Sequence, residues 1–205
     1  MTAACPPTLP SIHAAPAAAS PWLERFAHLL APGSEVLDVA CGSGRHMRRL
    51  AELGHRPMGV DRDAASLAQA AAWGPVLQAD LEGAPWPLPG RQFDAVLVTH
   101  YLWRPLWPAL LGALRPGGWL IYETFSQGHA RIGRPSRAEF LLQPGELLQV
   151  CQGLRVLAYE EGLCQDPPKV VQRIVACRED TASAPGPWPL VAGARWPAPA
   201  GLTPP

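Results

Sequence analysis

Three aspartates carry the first chemical signal in this chain. Asp38, Asp61 and Asp80 lie within or just after short apolar runs, and a glycine turn, Cys41-Gly-Ser-Gly44, follows the first. A carboxylate at the rim of an apolar sheet gains nothing from burial, so it needs a partner. One such partner is the next helix, whose free N–H groups favour an Asp cap; that reading suits Asp63. For Asp61 and Asp80 a bound ligand explains more. Asp61 lies nineteen residues beyond Gly42 and Asp80 nineteen beyond Asp61, so the three sites fall at regular steps along the chain.

The spacing selects among ligands. A dinucleotide fingerprint starting at Gly42 needs glycine at position 47, where Met47 stands. A pyrophosphate would also be repelled by Asp38. A cationic adenosine without phosphates suits the same residues. The two-glycine turn lets backbone approach it closely, Asp61 can accept from both ribose hydroxyls, and Asp80 can accept from the exocyclic adenine amine.

The elements that must position these groups alternate. A helix is expected from Ser20-Pro21 through Leu30, with Ser20 as its cap and Pro21 in the first turn. Strands are expected at 35–40, 56–60, 76–79, 93–98 and 119–125, with helices at 45–53 and 63–72. A helix at 144–150 and strands at 154–160 and 170–177 follow. Continuous apolar strands separated by helix-length segments predict an α/β fold, a Rossmann-like doubly wound and mainly parallel sheet. In such sheets ligands bind beyond the carboxyl ends of the strands, where strand order reverses.

Composition bounds the rest. With 17 Lys+Arg against 17 Asp+Glu, no basic excess marks a nucleic-acid face. Sixteen of those cations are arginine and the only lysine is Lys169, which reads as GC-biased codon use. Five cysteines, Cys5, Cys41, Cys151, Cys164 and Cys177, form no Cys-x-x-Cys pair, and histidines show no ligand spacing, so a reduced, cytoplasmic, metal-free protein is expected. No apolar run reaches the ~18 residues of a membrane span, and residues 1–20 lack the features of a signal peptide. Residues 1–19 are Ala/Pro-rich, and residues 179–205 hold seven prolines with Trp188 and Trp196 among them. Both read as disordered tails around one domain at 20–178.

Five blocks in order now carry a resemblance: 36–46 (VLDVACGSGRH), 59–62 (GVDR), 78–81 (QADL), 93–96 (FDAV) and 114–121 (LRPGGWLI). Together they resemble the class I S-adenosylmethionine-dependent methyltransferases over residues 20–178. Gly44-Arg45 is similar, more faintly, to the small tellurite-resistance-type members. Ala40 stands where the family's loop has its first glycine. The resemblance implies a seven-stranded sheet with an antiparallel last strand, and S-adenosyl-L-methionine as cofactor. It implies that Asp38 and the backbone of Ala40, Cys41, Gly42 and Gly44 hold the methionine end. Asp61, with Arg62 beside it, would take the ribose, and Asp80 and the Leu81 N–H the adenine. Thr99 and His100 would face the sulfonium and the acceptor.

Acceptor-side expectations come last. His100, Tyr101, Glu123 and His129 are the candidate bases, His100 first by position and Glu123 turned to the rim for want of an interior partner. The stretch 126–143 reads as structureless, either a lid hinged at Gly128 and Gly133 or a solvated surface loop. With Arg104 and His129 as further substrate candidates, its Arg131, Arg134 and Arg137 suggest an anionic acceptor. Trp86, Trp103 and Trp107 wall a pocket or fill the core, and Cys41 reads as a buried filler. Neutral charge and the lack of an appended recognition domain favour a small-molecule acceptor, anionic or a thiol or chalcogen, and a monomer or homodimer. A non-catalytic sensor of the cofactor or its product would keep the same binding residues. A nicotinamide oxidoreductase is disfavoured by Met47 and Asp38.

Overall fold

A computed structural model describes residues 17–180 and Trp188. Helix α1 (Pro21–Phe26) starts where expected: the Ser20 side chain accepts from the Trp22 N–H and proline occupies the first turn. Then come β1 (Glu35–Val39), α2 (Arg45–Glu52), β2 (Arg56–Asp61), α3 (Ala64–Ala70) and β3 (Val76–Gln78). Asp63 caps α3, accepting from the Ser66 N–H at 2.9 Å. The second half holds β4 (Phe93–Thr99), α4 (Trp107–Gly112), β5 (Leu114–Phe125), α5 (Glu146–Val150), β6 (Arg155–Gln165) and β7 (Pro168–Cys177). Helix α4 has no counterpart in the sequence reading. Pro105 and Pro108 obscure it, yet proline is compatible with a first helical turn, where its missing N–H has no intrahelical partner.

The seven strands form one sheet in the order β3-β2-β1-β4-β5-β7-β6. Strands β1 to β5 pair in parallel, and β7 runs antiparallel between β5 and β6. This is the predicted doubly wound sheet. Order reverses between β1 and β4, so the crevice beyond their carboxyl ends is the place for a ligand.

Two apolar layers sandwich the sheet. Leu37, Val39, Val96, Val98, Leu120 and Tyr122 face α4 and α5 through Leu110 and Leu147. Val36, Ala95, Leu97, Trp119, Ile121 and Val175 face Trp22, Leu23 and Phe26 of α1 and Leu50 of α2. Each of these large side chains contributes about 1.5–3 kcal/mol when withdrawn from water, which is what docks the short α1. The period of two then places Asp38, Thr99, Glu123 and Arg173 on the α1 side. The carboxyl-end rim of that layer is polar where the rest is apolar.

Most of the two tails lies outside the described residues. Trp188 is an exception: its ring meets Trp119 edge-on at 5.1 Å and Arg155 lies 4.5 Å from it, so this residue joins the core margin. Among the described residues no helix is long and apolar enough to cross a membrane.

Among the described residues, two non-glycine residues sit in the left-handed region, Ala40 (φ 54°) and His100 (φ 56°), one after β1 and one after β4. They flank the switch point, a placement typical of strain held at a working site. Gly44 (φ 80°) is required twice over, since a Cβ there would lie 2.8 Å from Ala70. Ala40→Gly is expected to stabilise the fold by about 0.5–1 kcal/mol, read as a rise of about 2 °C in melting temperature; a fall would show that Ala40 is unstrained.

Candidate active site

The first turn is built by Asp61. Its Oδ2 accepts from the Gly42 N–H at 2.8 Å and its Oδ1 from the Asp63 N–H at 2.9 Å. The carboxylate at the end of β2 thus holds the glycine turn after β1. Cys41 packs beneath: a Cβ on Gly59 would lie 2.6 Å from its Sγ, and burial pushes the thiol up to about 12. Such a cysteine fills space and is no nucleophile.

Beside the turn lies a cavity of about 150 Å³ lined by Ala40, Asp61, Arg62, Asp80, Leu81 and Tyr101. Asp80 accepts from the Glu82 N–H at 3.0 Å, and this and the Gly83 N–H hold its carboxyl below the usual range. It is therefore an ionised acceptor braced by its own turn. Tyr101, a candidate base in the sequence reading, walls this cavity; burial raises its hydroxyl, so proton removal is harder there. The Tyr122 hydroxyl pins the Tyr101 carbonyl at 2.9 Å.

Asp38 is 1% exposed, and its Oδ2 has no hydrogen-bond partner. Burial pushes its carboxyl up to about 8, opposed by Arg45 and reinforced by Asp61. His46 on α2 faces it at 3.9 Å, its own imidazole driven down to about 3 by burial, with Nε2 unpartnered. Thr99 is buried with an unpartnered Oγ1. Buried polar groups are normally paired, so three orphaned atoms together at a switch point mark a place built for polar contact from outside the chain.

Glu123 departs from expectation. It is 2% exposed, and the interior partners it needs are present. Lys169 Nζ donates to Oε1 at 2.9 Å, Ser20 Oγ donates to it at 3.3 Å, and Arg173 Nε lies 2.7 Å from Oε2. Burial alone would raise the carboxyl; the side chains hydrogen-bonded to it and the cations Lys169 and Arg173 outweigh it and carry it down to about 2. An acid so strong is no base at neutral pH. His100 touches the cluster through Nε2, 3.4 Å from Glu123 Oε1, and stacks on Phe125 at 4.8 Å.

The segment 126–143 is anchored to the domain and is not a structureless lid. Ser126 bridges Leu142, Leu141 and Leu142 are buried, and two 3-10 turns fill the span. Arg104 straps it down, donating to Glu146 at 2.7 and 2.8 Å and to the Glu139 and Leu141 carbonyls. Arg104 is thereby a fastener, with its guanidinium committed. His129 is buried against Phe125, its Nδ1 accepting from the Val170 N–H and its Nε2 facing the Arg134 carbonyl at 2.9 Å. Gly128 packs on Val170 and Gly133 on His129, so neither is a free hinge. Arg137 pairs with Glu139, while Arg131 and Arg134 are exposed. Trp86, Trp103 and Trp107 are half-buried against the main core.

Sequence reasoning missed His46, Lys169, Arg173 and the role of Ser20. Lys169 had a signal, being the one lysine among sixteen arginines.

A profile described as "Methyltransferase domain" matches residues 36–118. The ubiquinone biosynthesis O-methyltransferase of Burkholderia pseudomallei (strain 1710b) is 27% identical over 195 residues, 77% of this chain and 82% of its own. The tRNA U34 carboxymethyltransferase of Methylococcus capsulatus is 35% identical over 105 residues, 45% of this chain and 32% of its own. TehB from Haemophilus influenzae has this fold, with a TM-score of 0.62 at 19% identity over 75% of this chain and 60% of that one. So does an S-adenosylmethionine-dependent methyltransferase from Mesorhizobium loti, with a TM-score of 0.60 at 20% identity over 75% and 95%. The match marks residues 36–118 as similar to a methyltransferase domain, in line with the ordered blocks, and the solved structures share the fold of this chain.

A carboxyl lowered on folding stabilises the protein above its unfolded value, and that stability is lost as pH falls through the folded one. For Glu123 the window runs from about 4.5 down to about 2, a contribution of about 3 kcal/mol. Glu123→Gln strands Lys169 and Arg173 and is expected to cost about 3–5 kcal/mol at neutral pH. Denaturant midpoints are expected to show this gap narrowing below about pH 4.5; a gap independent of pH would mean that Glu123 is not the ionised anchor.

Proposed function

We propose that this enzyme transfers the methyl group of S-adenosylmethionine to a small-molecule acceptor placed beyond β4 and β5. The observation that supports it most is the pairing of braced carboxylates with orphaned polar atoms. Asp61 and Asp80 line the cavity, while Asp38, Thr99 and His46 offer unpartnered atoms in the interior beside it.

In this reading Asp61 takes the ribose hydroxyls, with Arg62 at its edge. Asp80 takes the adenine amine and the Leu81 N–H a ring nitrogen. A cavity of about 150 Å³ is smaller than the ~300–1,000 Å³ of a complete small-molecule pocket, so the methionine end runs along Ala40–Gly44 toward Asp38. The cofactor supplies an electrophilic methyl on a sulfonium; the chain's task is to align an acceptor lone pair and exclude water. Orientation of this kind is worth roughly 7–11 kcal/mol at its best. Thr99 and His100 shape the acceptor side, with Glu123 acting only through His100 and Lys169.

Balanced charge supports a small acceptor, as does the length shared with the quinone-pathway relative, 82% of that protein against 32% of the tRNA-modifying one. An anionic acceptor and a cytoplasmic monomer or homodimer complete the proposal.

Calorimetry with S-adenosylhomocysteine tests the assignments. Asp61→Ala is expected to weaken binding about 100-fold, through the loss of charge-assisted hydrogen bonds; unchanged affinity removes Asp61 from the site. Asp38 is protonated at neutral pH and would ionise when it meets the ligand's ammonium. Binding near pH 7 is therefore expected to release up to one proton, and affinity to rise with pH until it levels above about 8. Heats in buffers of different ionisation enthalpy read the proton, and Asp38→Asn is expected to abolish its release.

A further inference from the structure

The buried cluster beside the acceptor side joins one ammonium to both Glu123 and His100. Lys169 is the sole lysine of the chain, and its side chain is only 13% exposed. Its Nζ lies 2.9 Å from Glu123 Oε1 and, with hydrogen-bond geometry, 3.4 Å from His100 Nε2. An ammonium has three donors and no acceptor. Glu123 already takes Lys169 and Ser20 on Oε1 and faces Arg173 on Oε2. A proton on His100 Nε2 would therefore crowd a third donor onto Oε1 and set an N–H against the ammonium. A bare Nε2 accepts from it.

We propose that Lys169 is a positioning residue that holds His100 in the tautomer with its proton on Nδ1, making His100 a hydrogen-bond donor toward an anionic acceptor and not a base. The Phe125 ring fixes the imidazole plane, at 4.8 Å and 23°, and the side chain stays 32% exposed, within reach of a ligand. The charges agree. Lys169 and Arg173 face Glu123, and Glu160, 3.5 Å from Arg173, is itself paired with Arg25 at 2.6 Å, so three cations stand against two carboxylates, a surplus of one positive charge. A donor beside surplus positive charge suits a carboxylate, phenolate or thiolate, an atom that brings its lone pair already ionised. A neutral amine, which needs its proton removed, is not served. This deepens the reading of the switch point as the methyl-transfer site and rests on it.

The test is nitrogen NMR of the histidine rings of the full chain loaded with S-adenosylhomocysteine, at about pH 8, above the ordinary titration range of imidazole. The expected result is a protonated Nδ1 and a bare Nε2 for His100, assigned by loss of the signals in His100→Gln. Lys169→Met is expected to lose the bare-Nε2 resonance, Nε2–H turning to Glu123, and Lys169→Arg to restore it. Addition of benzoate is expected to shift the His100 ring signals more than benzamide of the same shape. A protonated Nε2 in the unsubstituted protein overturns the proposal, whether or not Lys169→Met folds. So does a tautomer unaltered in a folded Lys169→Met, or a response to benzoate no larger than to benzamide. Failure of S-adenosylhomocysteine to bind at all would instead strike the reading of the site itself.

Discussion

The two neighbours of β1 leave it in opposite directions, and everything functional hangs on that divergence. Helices that return from β1 and from β4 must cover different faces, so no helix closes over the carboxyl ends between them. Chain reaching that crevice must turn sharply: Ala40 and His100 both adopt left-handed backbone there, and Gly42 and Gly44 follow. The same opening exposes backbone N–H groups, one of which Asp61 already binds at 2.8 Å. The glycine turn and the second aspartate are therefore one unit, although nineteen residues separate Gly42 from Asp61.

Behind the crevice the sheet pays out polar side chains on one face only. Asp38, Thr99, Glu123 and Arg173 sit two residues beyond apolar positions of the layer that packs on α1. The helix is short, yet Trp22, Leu23 and Phe26 bury it firmly and Trp22 Nε1 donates to the Ile174 carbonyl. Docking α1 brings Ser20, its cap, onto Glu123. One residue thus starts a helix and completes a buried ionic cluster. Electrostatics divides the rim in two: beside β1 a carboxyl kept largely protonated by burial, beside β5 one kept ionised by cations.

How much of this was legible depended on how local its cause was. The aspartates at strand ends and the glycine turn were readable because each follows directly from strand length and turn geometry. Asp63 was readable as a cap for the same reason. Segment 126–143 was not, since its order comes from Arg104, which reaches across from before α4 to Glu146 and two carbonyls. Arg104 and His129 have residue types that could bind a substrate, and only their partners show them committed. Glu123 was misjudged because the rule that a buried carboxylate needs a partner is sound, but its partners stand 46 and 50 residues away on β7.

By itself, then, the amino-acid order determined the alternation of strands and helices, the parallel sheet, the aspartates at the strand ends and the likeness to methyltransferases. Those follow from side-chain periodicity and turn chemistry, which act within a few residues. Tertiary structure alone decided which charges meet: Lys169 and Arg173 on Glu123, Arg104 on Glu146, His46 facing Asp38. Such encounters depend on strand order and on which face each side chain takes, and an antiparallel strand inserted between two others is what brought the last cations to the rim.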